Sequence, residues 1–169
     1  MAIFENPNSP LQPQKGVYGW YAQKEGQEPI PIYIGMAGQK KSFLLKGTLF
    51  RGISELQRNT FTSNAPAYTA LDTDFIVGTA IIYFERNGYT CVWKHLSNDP
   101  AEENNYVETQ RPLLQNGRNA NIRNEFRINK TDQGYWHTRK TEQGVIEAES
   151  AVFAAIDNAI AKRKSERQE

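Results

Sequence analysis

The stretch Gly16–Gly35 (GVYGWYAQKEGQEPIPIYIG) sets two runs rich in β-branched and aromatic residues on either side of Glu25-Gly26. That pattern predicts a β-hairpin. With Glu25 and Gly26 at its centre, Tyr18 stands opposite Tyr33. The side-chain period of two then puts both tyrosines on one face, with Trp20 beside Tyr18. Val17, Ile32 and Ile34 point the other way, towards a core, and Pro29 and Pro31 place their strand at a sheet edge. Leu49, Phe50, Ile53 and Leu56 recur at helical spacing behind Thr48, a candidate N-cap. They predict a helix near 48–58 that packs its apolar stripe on the sheet and carries Arg51, Glu55 and Arg58 on a different face. Asp74 to Glu85 (DFIVGTAIIYFE) reads as a strand with Gly78 at a bulge, and Asn87-Gly88 as the turn into a returning strand, Tyr89 to His95. Ser97 or Asp99, followed by Pro100, predicts a helix start and a helix over 100–111. Val145, Ala148, Val152, Ile156 and Ile160 form the stripe of a last helix over 145–164, whose basic Lys162-Arg163-Lys164 end suits the helix dipole.

The sum is an α+β domain: a central antiparallel sheet, made of hairpin 16–35 and hairpin 74–95, flanked by helices near 48–58, 100–111 and 145–164. Residues 1–15, with Pro7, Pro10 and Pro13, read as a flexible arm before a single domain over 16–169. A length of 169 residues fits one domain with a real core, and 38% hydrophobic against 23% charged residues describes a globular chain rather than a disordered one. No apolar run reaches the length of a membrane span, and the N-terminus lacks a signal-peptide pattern, so the expected compartment is the cytoplasm. The single cysteine, Cys91, excludes an internal disulfide framework and a cysteine-based zinc site. His95 and His137 have no partners at metal-ligand spacing and read as structural or surface residues. A net charge of +1 does not announce a nucleic-acid binder, but its distribution does more. From Arg111 to Lys140 seven basic residues face two acidic ones, with Tyr135, Trp136 and His137 interleaved.

Gly16-Val17-Tyr18 and Tyr33-Ile34-Gly35, in that order and across a hairpin, resemble the two tripeptides that name the GIY-YIG nuclease family, with valine in place of the first isoleucine. The segment from Glu103 through Tyr106-Val107 and Pro112 to Asn116 is similar to the family's glutamate-helix pattern, its asparagine one residue late. The resemblance covers roughly residues 16–116. It implies a metal-dependent DNA endonuclease that hydrolyses phosphodiesters with Mg2+ or Mn2+, as a monomer or homodimer, in a restriction, repair or mobile-element role.

Carried over residue by residue, the resemblance implies Tyr18 as general base, with a lowered pKa or phenolate character, and Tyr33 as the group aligning water or phosphate. Arg51 would stabilise the transition state, Glu103 would be the single metal ligand, and Asn116 the positioning amide. Glu102 and Glu108 compete with Glu103. An insertion at 36–47 lengthens the path from the second tripeptide to Arg51. Lys40, Lys41, Lys46, Arg58, Arg111, Arg118, Arg123, Arg127 and Lys130 are the candidate phosphate contacts, the later ones in a basic loop that leads, over 117–164, into the last helix. The chain departs from the pattern twice: Met36 replaces a lysine, and Glu55 stands where histidine or tyrosine is common. Glu55 either pairs with Arg51 or reaches the metal, and Lys40 or Lys41 stands in for the missing cation. The alternative is a nucleic-acid-binding module of the same fold with impaired catalysis.

Overall fold

A computed structural model of the chain describes residues 2–5, 15–38, 47–58, 73–115 and 142–167. Four strands, β1 (Ile3–Glu5), β2 (Gly16–Gln23), β3 (Ile30–Ala37) and β4 (Thr90–Ser97), form one mixed sheet in the order β1-β4-β2-β3. β2 runs antiparallel to both neighbours, while β1 lies parallel to β4. The expected hairpin is present, with β3 at the edge where its prolines cost no ladder bonds. The register is offset by two residues from the one expected: Tyr18 pairs with Gly35 and Trp20 with Tyr33. A shift of two preserves the face, so the tyrosines remain on one side as diagonal neighbours. Residues 3–5 of the expected flexible arm are instead an edge strand.

Two further readings are corrected. Residues 74–85 are not a strand of a second hairpin. They belong to a helix, α2 (Thr73–Arg86), in which every residue from Phe75 to Ile81 is buried. A helix enclosed on all sides shows no amphipathic period, so its apolar run is indistinguishable from a buried strand by pattern alone. Gly78 is no bulge. It is the point where α2 crosses α1 (Thr48–Gln57): an added Cβ would lie 2.4 Å from the Glu55 carbonyl oxygen. Asn87-Gly88 ends the helix rather than turning a hairpin. Gly88 takes φ +85°, and the Tyr89 and Gly88 amides bond back to Phe84 and Glu85, the Schellman arrangement.

The second correction concerns α1. Its buried residues are Thr48, Gly52 and Glu55, while Phe50, Ile53 and Leu56 are 48, 38 and 37% exposed. The apolar stripe faces away from the sheet because Gly52 lets the Trp93 indole come close; an added Cβ there would sit 2.5 Å from Trp93 Nε1. That nitrogen finds no acceptor among the described residues. Thr48 is the first helical residue behind an extended Gly47, and its hydroxyl bonds His95 Nδ1 at 2.9 Å.

α1, α2 and α4 (Glu142–Arg167) share one face of the sheet. Its core joins Trp20, Tyr33 and Trp93 to Phe75, Ile81 and Phe84 of α2 and to Ala148, Val152 and Ile156 of α4. Burial of each large apolar side chain stabilises the fold by ~1.5–3 kcal/mol. α3 (Glu103–Gln110), entered through a 3₁₀ turn over Pro100–Glu102 that Asp99 caps, covers the other face with Val107 against Val17 and Ile34. The chain beyond α3 then seals the free edge of β3. Leu113 and Leu114 donate to the Pro31 and Ile32 carbonyls, and the buried Gln115 amide both accepts from and donates to the Ile34 backbone. Gln115→Ala leaves that backbone pair unmatched and is expected to lower stability by about 1–3 kcal/mol, read from the urea midpoint; an unchanged midpoint would show that the edge needs no seal.

Candidate functional site

The two glycines of the tripeptides are required by close contacts. Gly16, at φ +140°, lies against the Ser97 backbone, where an added Cβ would fall 1.8 Å from the carbonyl oxygen. Gly35 sits beneath both tyrosines: an added Cβ would be 2.5 Å from Tyr18 Oη and 2.8 Å from the Tyr33 ring. The Tyr18 and Tyr33 rings meet edge to face with centroids 6.4 Å apart, and Tyr18 stacks on Trp93 at 6.2 Å.

From this aromatic cluster Tyr18 Oη donates to Glu55 Oε2 at 2.7 Å, and Trp20 Nε1 donates to Glu55 Oε1 at 3.1 Å. Both carboxylate oxygens are therefore engaged, at 0% exposure. Burial pushes the Glu55 carboxyl up to about 8, although the Tyr18 bond and the Arg51 charge pull it down. Burial, and then the Glu55 charge, raise Tyr18 well above its ordinary value of 10. These surroundings favour the neutral phenol; the lowered pKa expected near a metal would have to come from the ion.

Tyr33 is the more exposed tyrosine, at 7%. Burial raises its pKa too, with Glu55 and Glu103 adding and Arg51 opposing. Arg51, four residues before Glu55 on α1, keeps 30% of its side chain exposed, its Nη2 3.7 Å from Asp74 Oδ1. Ser54 Oγ donates to the other Asp74 oxygen at 2.7 Å and so fixes that carboxylate. Burial works against the Arg51 charge, but Tyr18, Glu55, Asp74 and Tyr33 outweigh it and keep the guanidinium protonated. At the start of α3, burial pushes Glu103 up to about 7. Of its competitors, Glu102 accepts a bond from Asn105 and Glu108 points to solvent.

Tyr18, Tyr33 and Arg51, from β2, β3 and α1, thus surround Glu55, while Glu103, at the start of α3, reaches Tyr33 through its charge. Asn116, Lys40, Lys41, Lys46, Arg118, Arg123, Arg127, Lys130 and His137 lie outside the described residues. Arg58 does not present a free cation: its guanidinium is held by Glu149 at 2.7 Å and Thr79 at 3.0 Å, above the Phe75 ring, and ties α4 to the α1–α2 pair. Arg111 is 76% exposed at the end of α3, 4.0 Å from Glu166. Both nitrogens of His95 are bonded, to Thr48 and Asn98.

Sequence reasoning did not place Trp20 and Asp74 in the site, and it left the role of Glu55 open. Trp20 was visible as the same-face neighbour of Tyr18. Asp74 was hidden by the strand reading of its segment. A groove of about 660 Å³, lined by Lys24, Tyr83, Tyr89 and Lys164 among others, opens at the other end of the sheet. Lys24 lies six positions along the chain from Tyr18, roughly 20 Å at strand rise, so the groove is no part of this site. Among the described residues no three His, Cys, Asp or Glu side chains group as a metal cage, and no helix is long and apolar enough to cross a membrane. No family model, curated protein or solved structure matches the chain.

Proposed function

We propose that the chain is a nuclease of the GIY-YIG type, a cytoplasmic DNA endonuclease that hydrolyses phosphodiester bonds with Mg2+ or Mn2+. The observation that supports this reading is that both motif tyrosines lie within the field of Arg51, and Tyr33 also within that of Glu103. A family resemblance confined to short motifs has no reason to produce that arrangement unless the motifs act together.

Arg51 offers a planar fork suited to a phosphate oxygen pair. A phosphate there competes with the 3.7 Å contact from Asp74. Tyr33, kept neutral, donates its hydroxyl rather than accepting a proton. Glu103 is half-buried and makes no hydrogen bond among the described residues, so its carboxylate chemistry fits a hard divalent cation that keeps several waters. Glu55 and Asp74 are already engaged by Tyr18, Trp20, Arg51 and Ser54, which leaves Glu103 as the carboxylate that would hold the ion. When bound, the ion would polarise the phosphate.

The test is supercoiled plasmid with Mg2+, comparing wild type with Glu103→Ala and Arg51→Ala. Wild type is expected to cleave, and each variant to lose about 10²–10³-fold in rate, the usual cost of removing one charge stabiliser. One observation favours the second reading, a binding module without turnover: Tyr18 is 0% exposed and its hydroxyl is already occupied by Glu55. Binding whose affinity falls steeply with salt, without cleavage of plasmid, branched or single-stranded DNA, would establish that module instead.

A further inference from the structure

Resting on the nuclease reading, the geometry leaves a neutral phenol where a base is needed, and it also supplies the missing acceptor. Tyr18 is buried, and the group its hydroxyl donates to is Glu55 Oε2, 2.7 Å away. The second carboxylate oxygen accepts from Trp20 Nε1 at 3.1 Å, which holds the group with Oε2 towards Tyr18. The helix brings this carboxylate into the core at the cost of turning its own apolar stripe outward.

We propose that Glu55 is a positioning residue that acts through Tyr18 as the final proton acceptor of a two-proton relay. In this relay the nucleophilic water enters beside Tyr33, the tyrosine that keeps some exposure, and gives one proton to Tyr18 Oη while Tyr18 passes its own proton to Glu55 Oε2. The water O–H bond and the original phenol O–H bond break, a new phenol O–H and a carboxyl O–H form, and tyrosine stays neutral throughout. The hydroxide forms the new bond to phosphorus. The leaving oxygen departs with its electron pair and takes a proton from solvent. Glu55 returns its proton through Tyr18 to bulk water before the next turnover.

The groups facing Glu55 suit an acceptor that works near neutral pH. Arg51, from its own helix, favours the ionised form, as do the bonds from Tyr18 and Trp20 of β2, while burial and Asp74 of α2 oppose it. Tyr33 of β3 also senses the Glu55 charge. On the β4 side Trp93 packs against the helix at Gly52, and His95 is engaged by Thr48 at the helix start. An acceptor of this kind is half ionised at about 8.

The deciding experiment measures the pH–rate profile and the proton inventory in H2O–D2O mixtures for wild type and Glu55→Gln, with a thermal melt to confirm folding. Wild-type kcat is expected to rise about tenfold per pH unit and to level off above about 8, with a bowed inventory that reports two protons in flight. Glu55→Gln is expected to lose about 10²-fold in kcat, to show a flat profile and to give a linear inventory. If Glu55→Gln does not fold, the wild-type inventory decides alone: a linear one overturns the relay. Wild-type cleavage with the variant retaining rate and profile also overturns the relay and leaves the nuclease intact. Failure of wild type to cleave any DNA overturns both.

Discussion

Between pH 4.5 and pH 8 the fold is expected to lose stability steadily, by on the order of 1 kcal/mol per pH unit, and Glu55→Gln is expected to remove most of that slope. The cause is the burial of Glu55, which raises its carboxyl from 4.5 in the free group to about 8 in the folded protein. Below about 4.5 both states are protonated, and the full contribution to stability is present. Above it the unfolded chain releases its proton while the folded chain still holds one, so the unfolded state gains with every unit of pH until the folded group also ionises. Glu103 adds a loss of the same sign between 4.5 and about 7, reduced by its contact with solvent. Urea midpoints of wild type and Glu55→Gln at four pH values across this window test the expectation; wild-type stability that rises with pH would exclude a buried, proton-holding Glu55. The ionised form that accepts a proton from Tyr18 is therefore also the form the fold tolerates least.

Gly35→Ala should be the single methyl that strikes the two tyrosines of the candidate site most directly. The new Cβ would stand 2.5 Å from Tyr18 Oη, 2.7 Å from its Cζ and 2.8 Å from the Tyr33 ring. None of these atoms can give way easily. Tyr18 is clamped between Glu55 and Trp93, and the backbone on either side of Gly35 is held by β2 and by the Gln115 amide. The expected cost is about 1–3 kcal/mol or more, as for other overpacked cores. On the nuclease reading, displacing both tyrosines by even an ångström should cost about 10²-fold or more in cleavage. Gly26→Ala is the matched control: its φ of +78° carries some strain, but no atom lies within 4 Å of the added Cβ. Equal effects of the two substitutions on stability and cleavage would show that the tyrosine contact does not set the cost at Gly35.

Much of the architecture could be read where the pattern had a single interpretation. The hairpin, its proline-marked edge, the Asp99 cap and the α4 stripe each combined a period with a start or stop signal, and each is found in the structure. Reading failed where burial erased the period or a polar side chain went inside. α2 is apolar all round, so DFIVGTAIIYFE looked like a strand, and its length was the better guide. In α1 the amphipathic pattern was correct as a helix signal and wrong about direction. Gly52 and Glu55 had to face the sheet to admit Trp93 and to meet Tyr18 and Trp20, and these are long-range contacts that no local pattern encodes. The same holds for the site. Tyr18, Tyr33, Arg51 and Glu103 could be singled out from motifs, whereas Asp74 joins them across the α1–α2 crossing.

The sealing of β3 has a consequence for how the molecule meets copies of itself. An open strand edge is a template for adding another chain, and a row of unpaired amides beside Tyr33 and Gly35 would invite that at the candidate site. Leu113, Leu114 and Gln115 occupy that row as a short stretch of surrogate strand. Among the described strands, the remaining lateral edge is β1, only three residues long. Edge-to-edge polymerisation has little purchase there, so the sheet's resistance to aggregation resides in the segment that follows α3.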